Sequence, residues 1–158
     1  MRRRVQGRFQ ERVRECADPR RTFALGPGAV RFRWILLTPG LFPRGWLPPA
    51  VSRGGDGYFW LEADGLRARL ASAVVQRADV VSGWDLARTG PKPAERVVPS
   101  GSVYWFDRVE GDLGVLARVE AEGLWALMSQ ELHGEEGIYW ESRRAEGFGT
   151  VLTGAWTD

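Results

Sequence analysis

One cysteine, one histidine and one lysine in 158 residues set the first limits. Cys16 alone cannot close an intrachain disulfide, which fits a reducing compartment. Cys16 and His133 together fall short of a zinc finger or ribbon, so no metal site is expected. A Ser-His-Asp or Cys-His hydrolase would have only His133 as its base, with no second general acid or base beside it. No apolar run approaches the roughly 20 residues of a membrane helix. The arginine-rich start lacks the apolar segment of a signal peptide. The expected location is the cytoplasm, with no membrane partner. Neither G-x-x-x-x-G-K-[ST] nor G-x-G-x-x-G occurs, and the adjacent Glu135 and Glu136 point different ways in helix or strand. No catalytic residue and no cofactor are expected.

What is present is an ordinary globular composition, 44% apolar and 27% charged, at a length that suits one domain with a real core. Eight tryptophans spread from Trp34 to Trp156 argue for many buried anchors rather than one aromatic cage. The formal charge of +2 is unevenly placed. Residues 1–33 hold ten arginines against Glu11, Glu15 and Asp18. Residues 107–146 hold ten carboxylates against Arg108, Arg118, Arg143 and Arg144. Such asymmetry points to one face for an anionic partner and another for a cationic or protein partner; the plainer reading is a patchwork surface. The excess of arginine over lysine fits either selection for its planar fork or a GC-rich genome.

Along the chain, residues 1–25 form an arginine-rich leader and 26–158 the folded domain. Val5, Phe9, Val13 and Cys16 fall at helical spacing, so the leader is either a basic helix or a disordered tail. Residues 26–29 make a turn. In residues 30–38, Val30, Phe32, Trp34 and Leu36 alternate with Arg31, Arg33, Ile35 and Leu37, which predicts a strand with one wholly apolar face. Residues 41–49 form a proline-rich loop anchored by Phe42, Trp46 and Leu47, and 52–58 another turn. Leu66, Ala68 and Leu70 alternate with Arg67 and Arg69, which reads as a strand, followed by a second over 75–81; a helix over 66–78 is the alternative. Strands are expected again at 103–109, 138–140 and 150–155. The helix is expected at 122–132, from Leu124, Leu127, Met128 and Leu132, with His133 near its C-terminus and Gly134 closing it. This order gives an α+β fold, with a ferredoxin-like (RRM-like) sheet bearing long loop insertions as the natural candidate.

Two stretches are candidates for function. Residues 82–106 form a loop in which proline fixes φ and glycine permits φ > 0. It carries Arg88, Lys92 and Arg96 between Trp84 on one side and Tyr104 and Trp105 on the other. Cations between aromatics suit a single-stranded nucleic-acid backbone, and a rigid crossover with solvated charges is the plainer reading. Tyr104 or Trp84 would stack on a base, with burial in the core the favoured fate of Trp84. The second stretch follows Arg143-Arg144 and runs through Gly147, Phe148 and Gly149 to Gly154-Ala155-Trp156. Glycines let backbone N–H groups approach phosphate, although glycine before a terminal strand is more often a bulge or turn.

Taken in order, these residues resemble a known family. Leu37-Thr38-Pro39 with Phe42, Gly45-Trp46-Leu47-Pro48 and Ser82-Gly83-Trp84-Asp85 come first. Pro91-Lys92, Arg96, Val98-Pro99-Ser100-Gly101-Ser102-Val103-Tyr104, Gly147-Phe148-Gly149 and Gly154-Ala155-Trp156 follow. Over residues 30–158 the set is similar to the C-terminal part of the third subunit of type III-B CRISPR effectors (the Cmr complex), a RAMP-superfamily family. The resemblance implies a ferredoxin-like RAMP fold and a non-catalytic subunit holding the 5′ tag of the guide RNA (crRNA). It also implies a bridge between the large polymerase-like subunit and a backbone subunit. Family members usually have two such halves, so the expectation is one half, from a truncated gene or from a split subunit whose other half another chain supplies. Arg88, Lys92 and Arg96 would neutralise phosphates, with Tyr104 beside them, and Arg143, Arg144, Gly147 and Gly149 would offer a second contact. An assembly adaptor without RNA contact and a guide-processing endoribonuclease acting through His133 are the alternatives.

Overall fold

The computed structural model describes residues 31–85, 89–128 and 134–156. The leader, the 26–29 turn, Arg88 and His133 therefore lie outside the described residues. The framework is a six-stranded sheet in which every neighbouring pair is antiparallel. Its strands are β1 (Phe32–Leu36), β2 (Val51–Arg53), β3 (Phe59–Ala63), β4 (Leu66–Val74), β9 (Val103–Gly111) and β10 (Val151–Ala155). They lie in the order β10-β1-β9-β4-β3-β2. Between β4 and β9 come four short strands in two separate pairs: β5 (Asp79–Val81), β6 (Trp84–Asp85), β7 (Gly90–Pro91) and β8 (Glu95–Val97). Two helices, α1 (Gly114–Glu122) and α2 (Gly134–Ala145), fall between β9 and β10, with a 3-10 turn at Leu124–Leu127 between them. The class is α+β.

Alternation in the sequence selects the buried face. Phe32, Trp34 and Leu36 of β1 are buried together with Tyr104 and Phe106 of β9 and Leu66, Ala68 and Leu70 of β4. Phe32 stacks on Phe106 at 4.7 Å and Trp34 meets the same ring edge-on at 4.8 Å, so β1 and β9 interlock through aromatics. Val115, Leu116 and Val119 of α1, with Leu124 and Ala126 of the 3-10 turn, close this face. Glu120 ties α1 to β10 by accepting a hydrogen bond from the Thr153 backbone; burial raises its carboxyl above the usual range despite that bond.

Several expectations change. Over its described residues, 122–128, the expected helix does not form: α1 ends at Glu122, and Gly123 at φ 77° and ψ −176° cannot continue it, while residues 129–132 lie outside the described residues. Leu124–Leu127 instead makes one 3-10 turn, which buries Leu124, Trp125 and Ala126 together, so the apolar spacing at 124, 127 and 128 served a turn and not a stripe. Residues 138–140, expected as a strand, lie within α2. An apolar run that short fits either period. Within α2, Ser142 Oγ donates to the Tyr139 carbonyl at 2.7 Å. Strands β2 and β3 have no counterpart in the sequence reading, and the 82–106 loop is in large part paired strand. Among the tryptophans, Trp34, Trp60 and Trp125 are buried anchors, but Trp46 and Trp84 are exposed.

Candidate nucleic-acid interface

The connection from β4 to β9 is an arm built as two stacked pairs. β5 pairs with β8, setting Val80 opposite Arg96 and Val81 opposite Glu95. Further out, β6 pairs with β7, setting Trp84 opposite Pro91, and the Lys92 N–H donates to the Gly83 carbonyl at 2.7 Å. Pro91 is tolerated because a two-stranded ribbon leaves one edge of each strand unpaired. At the root, Gly40 and Val98 exchange two backbone hydrogen bonds of 2.8 Å, which fixes the arm to the exit of β1.

Because directly opposed residues share a face, the pairing sorts the arm into two sides. Val81, Glu95 and Val97 lie on the inner side, where Val97 is buried. Glu95 there accepts from Arg143 of α2, whose side chain is only 3% exposed. Arg143 also donates to Glu146 at 2.8 Å, and Nε reaches the Tyr139 hydroxyl at 3.3 Å. Lys92 Nζ completes the group with a 2.5 Å bond to the other Glu146 oxygen. The bond from Lys92, then that from Arg143, holds the Glu146 carboxyl below the usual range. Two cations and two carboxylates thus clamp the arm to α2.

On the outer side, Val80 is 65% exposed beside the exposed Arg96. Trp84, nearer the tip, is 58% exposed. Among the described residues Arg77 and Arg96 make no ion pair, so their charge is available to a ligand. The arm thus exposes an apolar ring at Trp84 and free charge at Arg77 and Arg96, the kinds of group that hold a base and its phosphate.

The remaining sequence candidates are placed as follows. Tyr104 is fully buried and its hydroxyl donates to the Trp46 carbonyl at 2.6 Å; burial pushes its ionisation well above the usual phenol range, and no ring face is left for a base. Trp84, favoured for the core, is the exposed ring, so the two aromatics exchange the places expected of them. Arg143 is the buried clamp, and Arg144 is 42% exposed beside Glu122 at 3.6 Å and Glu141 at 3.8 Å. The glycine segment is a latch. The Gly147 N–H donates to Arg144 and the Gly149 N–H to Pro39, both at 2.9 Å, while the Gly149 carbonyl accepts from Leu124. Gly149 sits at φ 76°, and a Cβ there would stand 3.2 Å from the Trp125 indole nitrogen, so glycine is needed for close packing. Arg88 lies outside the described residues, and so does the His133 of the endoribonuclease reading.

Sequence reasoning missed Glu95 and Glu146 as the clamp's acids, and the exposed Val80 and Arg77 of the arm. The hairpin itself left a signal: the apolar pairs Val80-Val81 and Val97-Val98 flank a proline- and glycine-rich interior.

Among the described residues no helix is long and apolar enough to cross a membrane. The family model described as CRISPR-associated protein (Cas_Cmr3) matches residues 8–156. The match extends into the arginine-rich leader, beyond the residues 30–158 that carry the resemblance. No curated protein and no solved structure matches the chain.

Proposed function

From the premise that this chain belongs to the Cas_Cmr3 family of CRISPR-associated proteins, subunits of type III-B effectors, we propose that it is a non-catalytic, guide-RNA-binding subunit whose arm makes the contact. The observation that carries the reading is that the arm exposes Trp84 and Val80 together with Arg96 and Arg77, which make no ion pair among the described residues. The ligand is the single-stranded 5′ tag of the guide, bound in the cytoplasm. Lys92 serves the tag indirectly, by holding the arm through Glu146. A non-catalytic role suits the clamp: Lys92, Glu95, Arg143 and Glu146 satisfy one another, as a strut requires and a general acid–base pair does not.

The sheet supports a RAMP-type ferredoxin-like reading. β1 and β4 are both antiparallel to β9, which lies between them, and β10 flanks β1. That is the connectivity of a split β-α-β unit, with α1 and α2 forming the crossover from β9 to β10. In this reading the first crossover helix is replaced by residues 37–65, which extend the sheet by β2 and β3. The same subunit bridges the large polymerase-like subunit to a backbone subunit.

The test is a salt titration of binding to a repeat-tag RNA. Arg96→Ala is expected to weaken binding and to flatten the log–log salt slope by about 0.7, the loss of one phosphate contact on a single strand. Arg144→Ala, whose charge already faces Glu122 and Glu141, is expected to leave the slope unchanged. An unchanged slope and affinity for Arg96→Ala sinks the assignment.

A further inference from the structure

The 41–49 loop, the β3–β4 turn and the 3-10 turn enclose an open cleft of about 310 Å³. Its floor is apolar. Leu47, Ala50 and Leu127 are only partly buried there, with Pro48 and Met128 beside them. The rim is polar: Glu62 and Asp64 come from β3 and its turn, and Arg44 from the loop. Glu62 pairs with Arg67, but the two side chains are 60% and 48% exposed, so the pair is weak and open to another cation. Asp64 holds Arg118, and Arg44 donates to the Val51 carbonyl at 3.3 Å.

Residues 1–30 precede β1, and their sequence complements this cleft. Val5, Phe9, Val13 and Cys16 fall on one face at helical spacing, the pattern of a helix laid in a groove. At about 100° per residue, Arg8 and Arg12 flank that stripe on one side, and Gln6 and Gln10 on the other. The family match begins at residue 8, so Phe9, Val13 and Cys16 are part of the family's own pattern. Reach is no obstacle. The register sets the start of β1 and the β3–β4 turn toward the same end of the sheet. β3 lies three strand spacings of about 4.8 Å from β1, whereas residues 14–30 span about 55 Å when extended.

We propose that residues 5–16 form an amphipathic helix that docks in this cleft of the same chain, with Phe9 and Val13 on its floor and Arg8 and Arg12 on Glu62 and Asp64. Gln6 and Gln10 then meet Arg44. Apolar stripe meets apolar floor, and the arginines meet the carboxylates of the rim. A nucleic acid suits the cleft poorly, because its lining has two carboxylates, one arginine and no aromatic ring. The inference goes beyond the guide contact and stands without it.

Cys16, the one cysteine of the chain, lies on the apolar stripe, so its labelling by a maleimide reports docking. In the full chain the reaction is expected to be at least about tenfold slower than in urea, because only the undocked fraction reacts. Phe9→Asp is expected to restore the fast rate while the sheet still unfolds cooperatively. Glu62→Lys, on the exposed rim, is expected to raise the rate about threefold. A photo-crosslinking residue in place of Phe9 is expected to attach within the same chain, to residues 43–50, 62–64 or 126–128. Fast labelling of the wild type, equal rates in wild type and Phe9→Asp, or crosslinks elsewhere or between two copies would overturn the proposal. The Arg96→Ala salt slope reads the arm alone, so the two readings fail separately.

Discussion

Arg143→Ala is expected to destabilise the chain by about 3 kcal/mol, the scale of removing one partner from a buried ion pair. The size follows from where the guanidinium sits. Its side chain is 3% exposed and touches Glu95 from the arm and Glu146 after α2 at once. Taking it away leaves two carboxylates facing a common space with only Lys92 to balance them. Arg144→Ala, one residue on, is expected to change stability by less than about 0.5 kcal/mol, because exposed pairs contribute little. Urea unfolding of the two variants measures the contrast, and equal effects would remove the clamp from the account of the arm. Tag RNA affinity should fall with Arg143→Ala while the salt slope stays near wild type. The residue positions the arm and does not itself meet phosphate.

Trp34→Ala is the second large effect, a loss of about 4 kcal/mol from transfer and cavity terms together. Trp34 is fully buried in the centre of β1, 5.4 Å from the Phe32 ring and 4.8 Å from Phe106. Its indole nitrogen is buried with no hydrogen-bond partner, so part of what tryptophan gains by packing is offset by an unmet donor. Trp34→Phe removes that donor with a smaller loss of volume and is expected to cost no more than about 1.5 kcal/mol. Chemical denaturation of both variants decides the matter. A Phe substitution as damaging as Ala would mean that the donor finds an acceptor and that shape alone does not explain the site.

The strands that build the sheet's centre were readable because burial on one face leaves a period of two. Phe32, Trp34 and Leu36, then Leu66, Ala68 and Leu70, show it plainly. β2 and β3 were not readable, since three and five residues around a glycine-rich turn give too few repeats to fix a period. The helices misled for a related reason. Val115, Leu116 and Val119 are a short stripe behind a glycine, whereas the richer apolar cluster after Gly123 is a turn that buries several directions at once. The candidate site was legible as a stretch and not as side chains. Arg143-Arg144 reads as an anion contact until the fold brings Glu95, 48 residues away, onto the first of the pair. Trp84 and Tyr104 exchanged fates because burial is set by which strand joins the sheet. β9 carries Tyr104 into the core, while among the described residues β6 pairs only with β7.

The most direct measurement is ultraviolet crosslinking of the guide RNA in the assembled effector, with the attached peptides mapped on this chain. Crosslinks are expected within residues 79–97, at Trp84 above all, and should disappear in Trp84→Ala while the complex still assembles. Crosslinks confined to residues 146–154, or none on this chain, would contradict a guide contact made by the arm.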